Sequence, residues 1–329
     1  MQPLTRRHFL KAATLTALSA PYIARPALAQ TTVTVASLLG EDKPETRIWR
    51  YIAEKAEERL PGRFRFNIVA NGALGGEKQV ADSIRLGSVQ ASLSTVSALS
   101  SWVPQLQILD LPFLFRSPEH LGRVVAGPVG AELKGALADE RFIVGGFIDY
   151  GARHLLTKTP VTRPEGLEGV TIRVINSPLH TGLWSAFGAV PVGIPITETY
   201  NALATGVADA MDLTKSAYAG FKLYEVVPCL TETGHIRASG VIYFSQGFWD
   251  GLDPEAQAVL EAISAEAALY FNALIVEDET AAMQTAHENG GIVFQPEDMD
   301  AWRAGARNVW ADFAPAVGGM ERIETVANT

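Results

Sequence analysis

With 36 acidic against 27 basic residues in a chain of 329, the net charge is −9, which argues against nucleic acid or an anionic membrane surface as partner. The single cysteine, Cys229, excludes an internal disulfide; inside the apolar run Val226 to Leu230 it reads as a small buried hydrophobe.

Taken in chain order, the first element is an address. Thr5-Arg6-Arg7-His8-Phe9-Leu10-Lys11 precedes a charge-free stretch from Ala12 to Ala24 and a small-residue cleavage site, Ala27-Leu28-Ala29, the pattern of an export signal. The stretch is interrupted by Pro21 and falls short of the roughly 20 apolar residues of a membrane span. Its paired arginines resemble the twin-arginine signal, so residues 1–29 are expected to be removed on export. Their loss takes away Arg6, Arg7, Lys11 and Arg25 and no acid, leaving 23 basic against 36 acidic residues, a charge of −13. About 300 residues remain, more than one core usually serves, which predicts two lobes.

Thr31 to Leu38 alternates and is rich in β-branched residues, a strand; Glu45 to Arg59 carries apolar residues at helical spacing. Phe64 to Ala70 is the next strand, Asn71-Gly72 and Gly75-Gly76 form a turn, Glu77 to Leu86 is a helix stopped by Gly87, and Val89 to Thr95 is a strand. Phe142 to Ile148 is an apolar strand. A second unit of the same build follows: strand Val170 to Ile175, helix Thr197 to Thr205 capped by Thr197 and stopped by Gly206, and strand Val207 to Leu213. In open α/β sheets ligands sit at the carboxyl ends of strands, so both units aim residues at one cleft. From Asp253 to Asn289 there is no glycine and only Pro254; an N-cap aspartate, a proline at the first position and Gly290-Gly291 at the end delimit a helix of about 50 Å, long enough to touch both lobes. A break near Glu277 to Thr280, where acids cluster, is the alternative.

No pair among the six histidines has metal-ligand spacing, and there is no G-x-S-x-G, P-loop or G-x-G-x-x-G motif, so structural zinc, motif-bearing hydrolases and nucleotide enzymes lose ground and no cofactor is implied. The conspicuous residue is Arg173, set between β-branched neighbours in Thr171-Ile172-Arg173-Val174-Ile175. A charge there needs a partner: a fixed carboxylate of the protein, or a ligand carboxylate in the bidentate geometry a guanidinium offers. Arg153, beyond the strand Phe142 to Ile148, raises the same question.

Several phrases together resemble one family, the receptors of tripartite ATP-independent periplasmic (TRAP) transporters of the dicarboxylate-receptor type. They are Asn71-Gly72-Ala73-Leu74-Gly75-Gly76-Glu77, Leu109-Asp110-Leu111-Pro112-Phe113-Leu114-Phe115, Gly151-Ala152-Arg153, Gly166 to Val174, Glu198-Thr199-Tyr200-Asn201-Ala202-Leu203, Gly206-Val207-Ala208-Asp209 and Leu223-Tyr224-Glu225-Val226. The resemblance runs from about Val33 to Phe313. It implies a two-lobed α/β periplasmic binding protein with a long helix spanning both lobes, a ligand cleft between them, hinge closure, no catalysis, and delivery of a small organic acid to the membrane permease by a monomeric receptor. The lobes are expected at 30–151 with 240–279 and at 152–239 with 280–329. Arg173 matches the arginine that binds the ligand carboxylate in that family, and Arg153 a second, less uniform ligand arginine.

Asn176 and Thr95 fall where the family presents polar ligand contacts, against the plain readings of a turn cap and strand polarity. Lys43 lies in the loop after the first strand, facing the cleft or simply solvated. Where many relatives read Gln-Glu-Asn, this chain has Met211-Asp212-Leu213. The lost amide departs from sialate-type sites, and Asp212 is expected to accept hydrogen bonds from ligand hydroxyls, with a salt bridge to Lys215 or another neighbour as its alternative. A hydroxylated or sugar-acid monocarboxylate is therefore the expected ligand. The runners-up are a C4-dicarboxylate, for which Lys43 or Lys215 would supply the second cation, and a periplasmic enzyme acting on acid sugars.

Overall fold

The computed structural model describes residues 30–329; the export segment lies outside the described residues. The first unit forms as its patterning requires. Strand β1 (Thr31–Ala36) buries Val33 and Val35, α1 (Pro44–Arg59) buries Ile48, Trp49, Ile52 and Ala56, and β2 (Phe64–Val69) pairs parallel to β1. Then come α2 (Glu77–Arg85), β3 (Ala91–Thr95), the single turn α3 (Val96–Leu99), α4 (Pro118–Ala126) and α5 (Pro128–Asp139).

Strand β4 (Phe142–Thr157) leads into the second unit, β5 (Thr171–Val174), α6 (Pro178–Ala186), β6 (Val190–Gly193), α7 (Ile196–Ala204), β7 (Ala210–Thr214) and α8 (Lys215–Gly220). The chain returns through β8 (Cys229–Ser245) and α9 (Gln246–Asp250) to α10 (Pro254–Glu288), β9 (Ile292–Phe294), α11 (Met299–Val317) and α12 (Met320–Ala327). The likeness of the two units extends to their helix ends, where Gly87 and Gly206 both adopt φ of +78°, a conformation that costs glycine nothing and stops the helix before the next strand. Thr197 does not cap α7, whose N-cap is Pro195.

All strands belong to one sheet in the order β2-β1-β3-β8-β4-β7-β5-β6, with β9 beside β8. Two lobes arise because β4 and β8, 16 and 17 residues long, run antiparallel through both. β3 pairs with the distal half of β8, Gly240 to Phe244, whereas β7 pairs with the distal half of β4, Arg153 to Thr157. The crossing between lobes falls where the β4/β8 register shifts beside Asp149 and Gly151.

The long helix is continuous: Asp253 accepts the Ala256 N–H at 2.8 Å, and the helix runs unbroken through Glu277 to Thr280. Its first two-thirds pack Leu260, Ile263, Phe271 and Ile275 against Val33, Ile48 and Trp49. Its last turns pack Ala282 and Ala286 against Leu203, Tyr218 and Leu230 of the second lobe.

A third core joins Ile84, Leu106 and Leu133 to Leu179, Trp184 and Trp302, so α11 packs on both lobes. α12 is tied to the first lobe by His120 Nε2 to the Val326 carbonyl at 2.7 Å and by Arg322 to Glu132 at 2.7 Å. Residues 299–329 thus contact both lobes.

Candidate functional site

The strands β1, β3, β5 and β7 point their carboxyl ends at one cleft, as ligand sites in open α/β sheets do. Leu38 and Leu39 follow β1, Thr95 ends β3, Arg173 and Ile175 come from β5, and Leu213 and Thr214 end β7. Apolar walls come from Phe271 and Ile275 of α10, Ile196 and Phe221, and polar groups from Glu45, Glu77, Tyr150, Arg153 and Ser216.

Arg173 is 2% exposed. Its Nε donates to the Ile194 carbonyl at 2.8 Å, and among the described residues no carboxylate lies within 4 Å of its guanidinium. Burial, and then the charge of Arg153, lower its pKa to about 10. It remains a cation at neutral pH, in a place that penalises cations and without the partner buried charges usually have.

Arg153 is the opposite case. Its Nε donates to Asp212 Oδ2 at 2.5 Å and its Nη2 to the Asp212 carbonyl at 2.7 Å, a diagonal pair across β4 and β7. Behind Asp212, His235 Nε2 lies 3.2 Å from Oδ2 while Thr233 Oγ1 meets His235 Nδ1 at 2.7 Å. Burial lowers the His235 pKa, so its neutral ring donates from Nε2 and accepts at Nδ1. His180 continues the network to Ser97 at 3.2 Å and to Asp110 at 3.6 Å. Burial alone would raise the Asp212 pKa, but Arg153, His235 and His180 outweigh it and hold the carboxyl well below the usual carboxylate range.

Three residues with expected contacts lie off the cleft wall. Asp212 is fully buried behind Arg153 and does not line the cleft, and its ion pair is with Arg153, Lys215 being paired with Glu232 at 2.5 Å. Lys43 sends its Nζ to Asp278 at 3.1 Å and is not part of the cleft wall. Asn176 is exposed beside Gly193, off that wall, and Ser177, not Asn176, is the N-cap of α6. Thr95 does line the cleft; its side chain accepts the Ala98 N–H at 3.2 Å and donates to Glu77 Oε1 at 2.8 Å.

Reasoning from the sequence missed Glu45, Glu77, Tyr150, Thr214 and Ser216. Glu77 and Tyr150 stood beside Gly75-Gly76 and Gly151-Ala152-Arg153 and were legible as neighbours of those motifs. Glu45 was not, because an acid in the first turn of a helix is ordinary on dipole grounds.

A binding receptor for a small anion is what these features describe, a buried cation without a carboxylate partner among the described residues, on the wall of a cleft between two lobes. The chain belongs to the family of bacterial extracellular solute-binding proteins, family 7, which matches residues 35–316, and it is a solute receptor of the TRAP transporter class. A TRAP periplasmic solute-binding protein from Bradyrhizobium sp., solved with galacturonate, is 27% identical with a TM-score of 0.87 over 91% of this chain and 100% of that one. One from Sulfitobacter sp., solved with alpha-D-taluronate, is 27% identical with a TM-score of 0.86 over 90% and 97%. The C4-dicarboxylate-binding periplasmic protein DctP of Shewanella loihica is 26% identical over 293 residues, 88% of this chain and 87% of that protein.

Proposed function

We propose that this protein is a monomeric periplasmic receptor that binds a hydroxylated monocarboxylate of the sugar-acid type through Arg173 and passes it unchanged to its membrane permease. The observation that carries the reading is the buried Arg173 guanidinium, which among the described residues has no carboxylate partner. One uncommitted cation suits one ligand carboxylate. A C4-dicarboxylate would call for a second, yet Arg153 is held by Asp212, Lys43 by Asp278 and Lys215 by Glu232. The rest of the polar lining, Glu45, Glu77, Thr95, Tyr150, Thr214 and Ser216, offers hydroxyls and carboxyls that match sugar hydroxyls. The galacturonate and taluronate carried by two relatives agree with this chemistry.

Calorimetry against D-galacturonate, D-glucuronate, D-taluronate, succinate and malate tests the reading. The sugar acids are expected to bind and the C4-dicarboxylates to bind weakly or not at all. Arg173→Ala is expected to weaken binding by about two to four decades, the cost of leaving a buried charge unpaired being about 3–5 kcal/mol. Arg173→Lys should recover little, because an ammonium lacks the planar fork. Near-native affinity in Arg173→Ala, or a preference for succinate, would overturn the assignment.

A further inference from the structure

Glu45 lies in the first turn of α1, in the lobe opposite Arg173, and lines the cleft at 4% exposure. Its Oε1 accepts the Leu38 N–H at 2.9 Å. The ionisable groups around it are Glu77 from α2, Tyr150 and Arg153 from β4, Arg173 from β5 and, two residues earlier in its own chain, Lys43, which is drawn away to Asp278 of α10. Among the described residues no cation approaches Glu45 within 4 Å. An ionised carboxylate buried beside a second carboxylate and without a cation is costly, so the neutral form is favoured. Burial, reinforced by Glu77 and opposed by the Leu38 N–H and the Tyr150 hydroxyl, pushes the Glu45 carboxyl up to about 8. A protonated carboxyl has an O–H to donate.

We propose that Glu45 is the specificity-determining residue of the cleft, entering the complex protonated and donating a hydrogen bond from its O–H to a hydroxyl or ring oxygen of the ligand. This rests on the ligand reading above, with Arg173 holding the carboxylate. Arg173 accepts any carboxylate of suitable size. Glu45 separates hydroxylated from plain acids, because a ligand without an oxygen at that place leaves a buried donor unsatisfied, and sites built on such a bond reject analogues that lack it. Glu77 is less suited to this role, since its Oε1 already receives the Thr95 N–H at 2.6 Å and the Thr95 hydroxyl at 2.8 Å.

The test is calorimetry of the wild type, Glu45→Gln and Glu45→Ala at pH 6.5 and pH 9. The probes are the best bound of D-galacturonate, D-glucuronate and D-taluronate, and cyclohexanecarboxylate, a ring acid without hydroxyls. At pH 6.5 the wild type should prefer the sugar acid by about 10–100-fold, Glu45→Gln should keep most of that preference because its amide still donates, and Glu45→Ala should lose it. Between pH 6.5 and 9 the wild-type affinity for the sugar acid should fall about tenfold as Glu45 ionises, and that of Glu45→Gln should stay flat. Glutamine is isosteric and keeps the acceptor for Leu38, which guards against a folding defect in the alanine variant. A wild-type preference surviving in Glu45→Ala, or the same pH profile in wild type and Glu45→Gln, overturns the proposal while Arg173 still anchors both probes. Failure of every sugar acid to bind the wild type overturns the ligand reading and this proposal with it.

Discussion

Asp212 is a residue whose meaning changes with its surroundings. Read in sequence, a carboxylate replacing the usual Glu within a Gln-Glu-Asn phrase looks like a ligand contact; in the structure it holds Arg153 by Nε and by its own carbonyl, with His235 behind it. Its removal should therefore register first in stability. Asp212→Asn leaves a buried guanidinium without its counter-charge and is expected to cost about 3–5 kcal/mol at pH 7. The carboxyl is held below its unfolded value. Its contribution is thus fully present above the unfolded pKa of about 3.9 and is lost as pH falls through that value toward the folded one. Chemical denaturation should show a large gap between wild type and Asp212→Asn at pH 7 that closes toward pH 2. A gap that is small at pH 7, or constant with pH, would show that Arg153 does not depend on this partner.

At the scale of elements, β4 is the informative one, because it changes lobe in mid-strand. Gly151 makes this possible with φ of +92°, and a Cβ there would lie 2.2 Å from Glu279 Oε1 of α10. The side-chain clash is relievable, since Glu279 ends in rotatable bonds; the backbone cost of a positive φ is not. Gly151→Ala is expected to destabilise by about 1–2 kcal/mol, and adding Glu279→Ala should restore only a minor part, as thermal melts of the single and double variants would reveal. Full recovery in the double variant would place the constraint in the side chain instead.

For the whole molecule, the lobes meet on both sides of the cleft. On one side Thr197 and Pro195 face Gly72 and Gly76, and on the other Gly220 faces Leu39, where an added Cβ would lie 3.0 Å from Leu39 Cδ2. Gly220 lacks the positive φ that would strain any substitution, so Gly220→Val is a wedge between lobes more than a defect within one. Overpacking such a contact costs about 1–3 kcal/mol, and here it should appear as about one to two decades of lost affinity. The melting temperature of the ligand-free variant should move little, and its scattering profile should contract less on adding a saturating sugar acid than the wild type's does. Unchanged affinity in Gly220→Val would mean that this contact plays no part in binding.

By itself the sequence determined what is local or periodic. The β-α units, the two glycine-stopped helices and the ends of the helix from Pro254 to Glu288 follow from spacing, caps and turn residues, whereas its continuity through Glu277 to Thr280 does not, and Arg173 stood out because a charge among β-branched neighbours must meet an opposite charge somewhere. The 17-residue strand β8 was not legible, since Gly234 and Gly240 break its pattern and its partners β3, β4 and β9 lie far away in the chain. Nor were α11 and α12, whose place across both lobes depends on contacts such as His120 with Val326. Only the tertiary structure decided which arginine is free. Arg153 and Arg173 carry the same charge in comparable strands, and the difference between them lies in where one carboxylate folds: Asp212 comes within 2.5 Å of Arg153, and no carboxylate comes within 4 Å of Arg173 among the described residues. Charge pairing is a matter of a few ångströms between distant positions in the chain, and that distance is written in packing rather than in sequence.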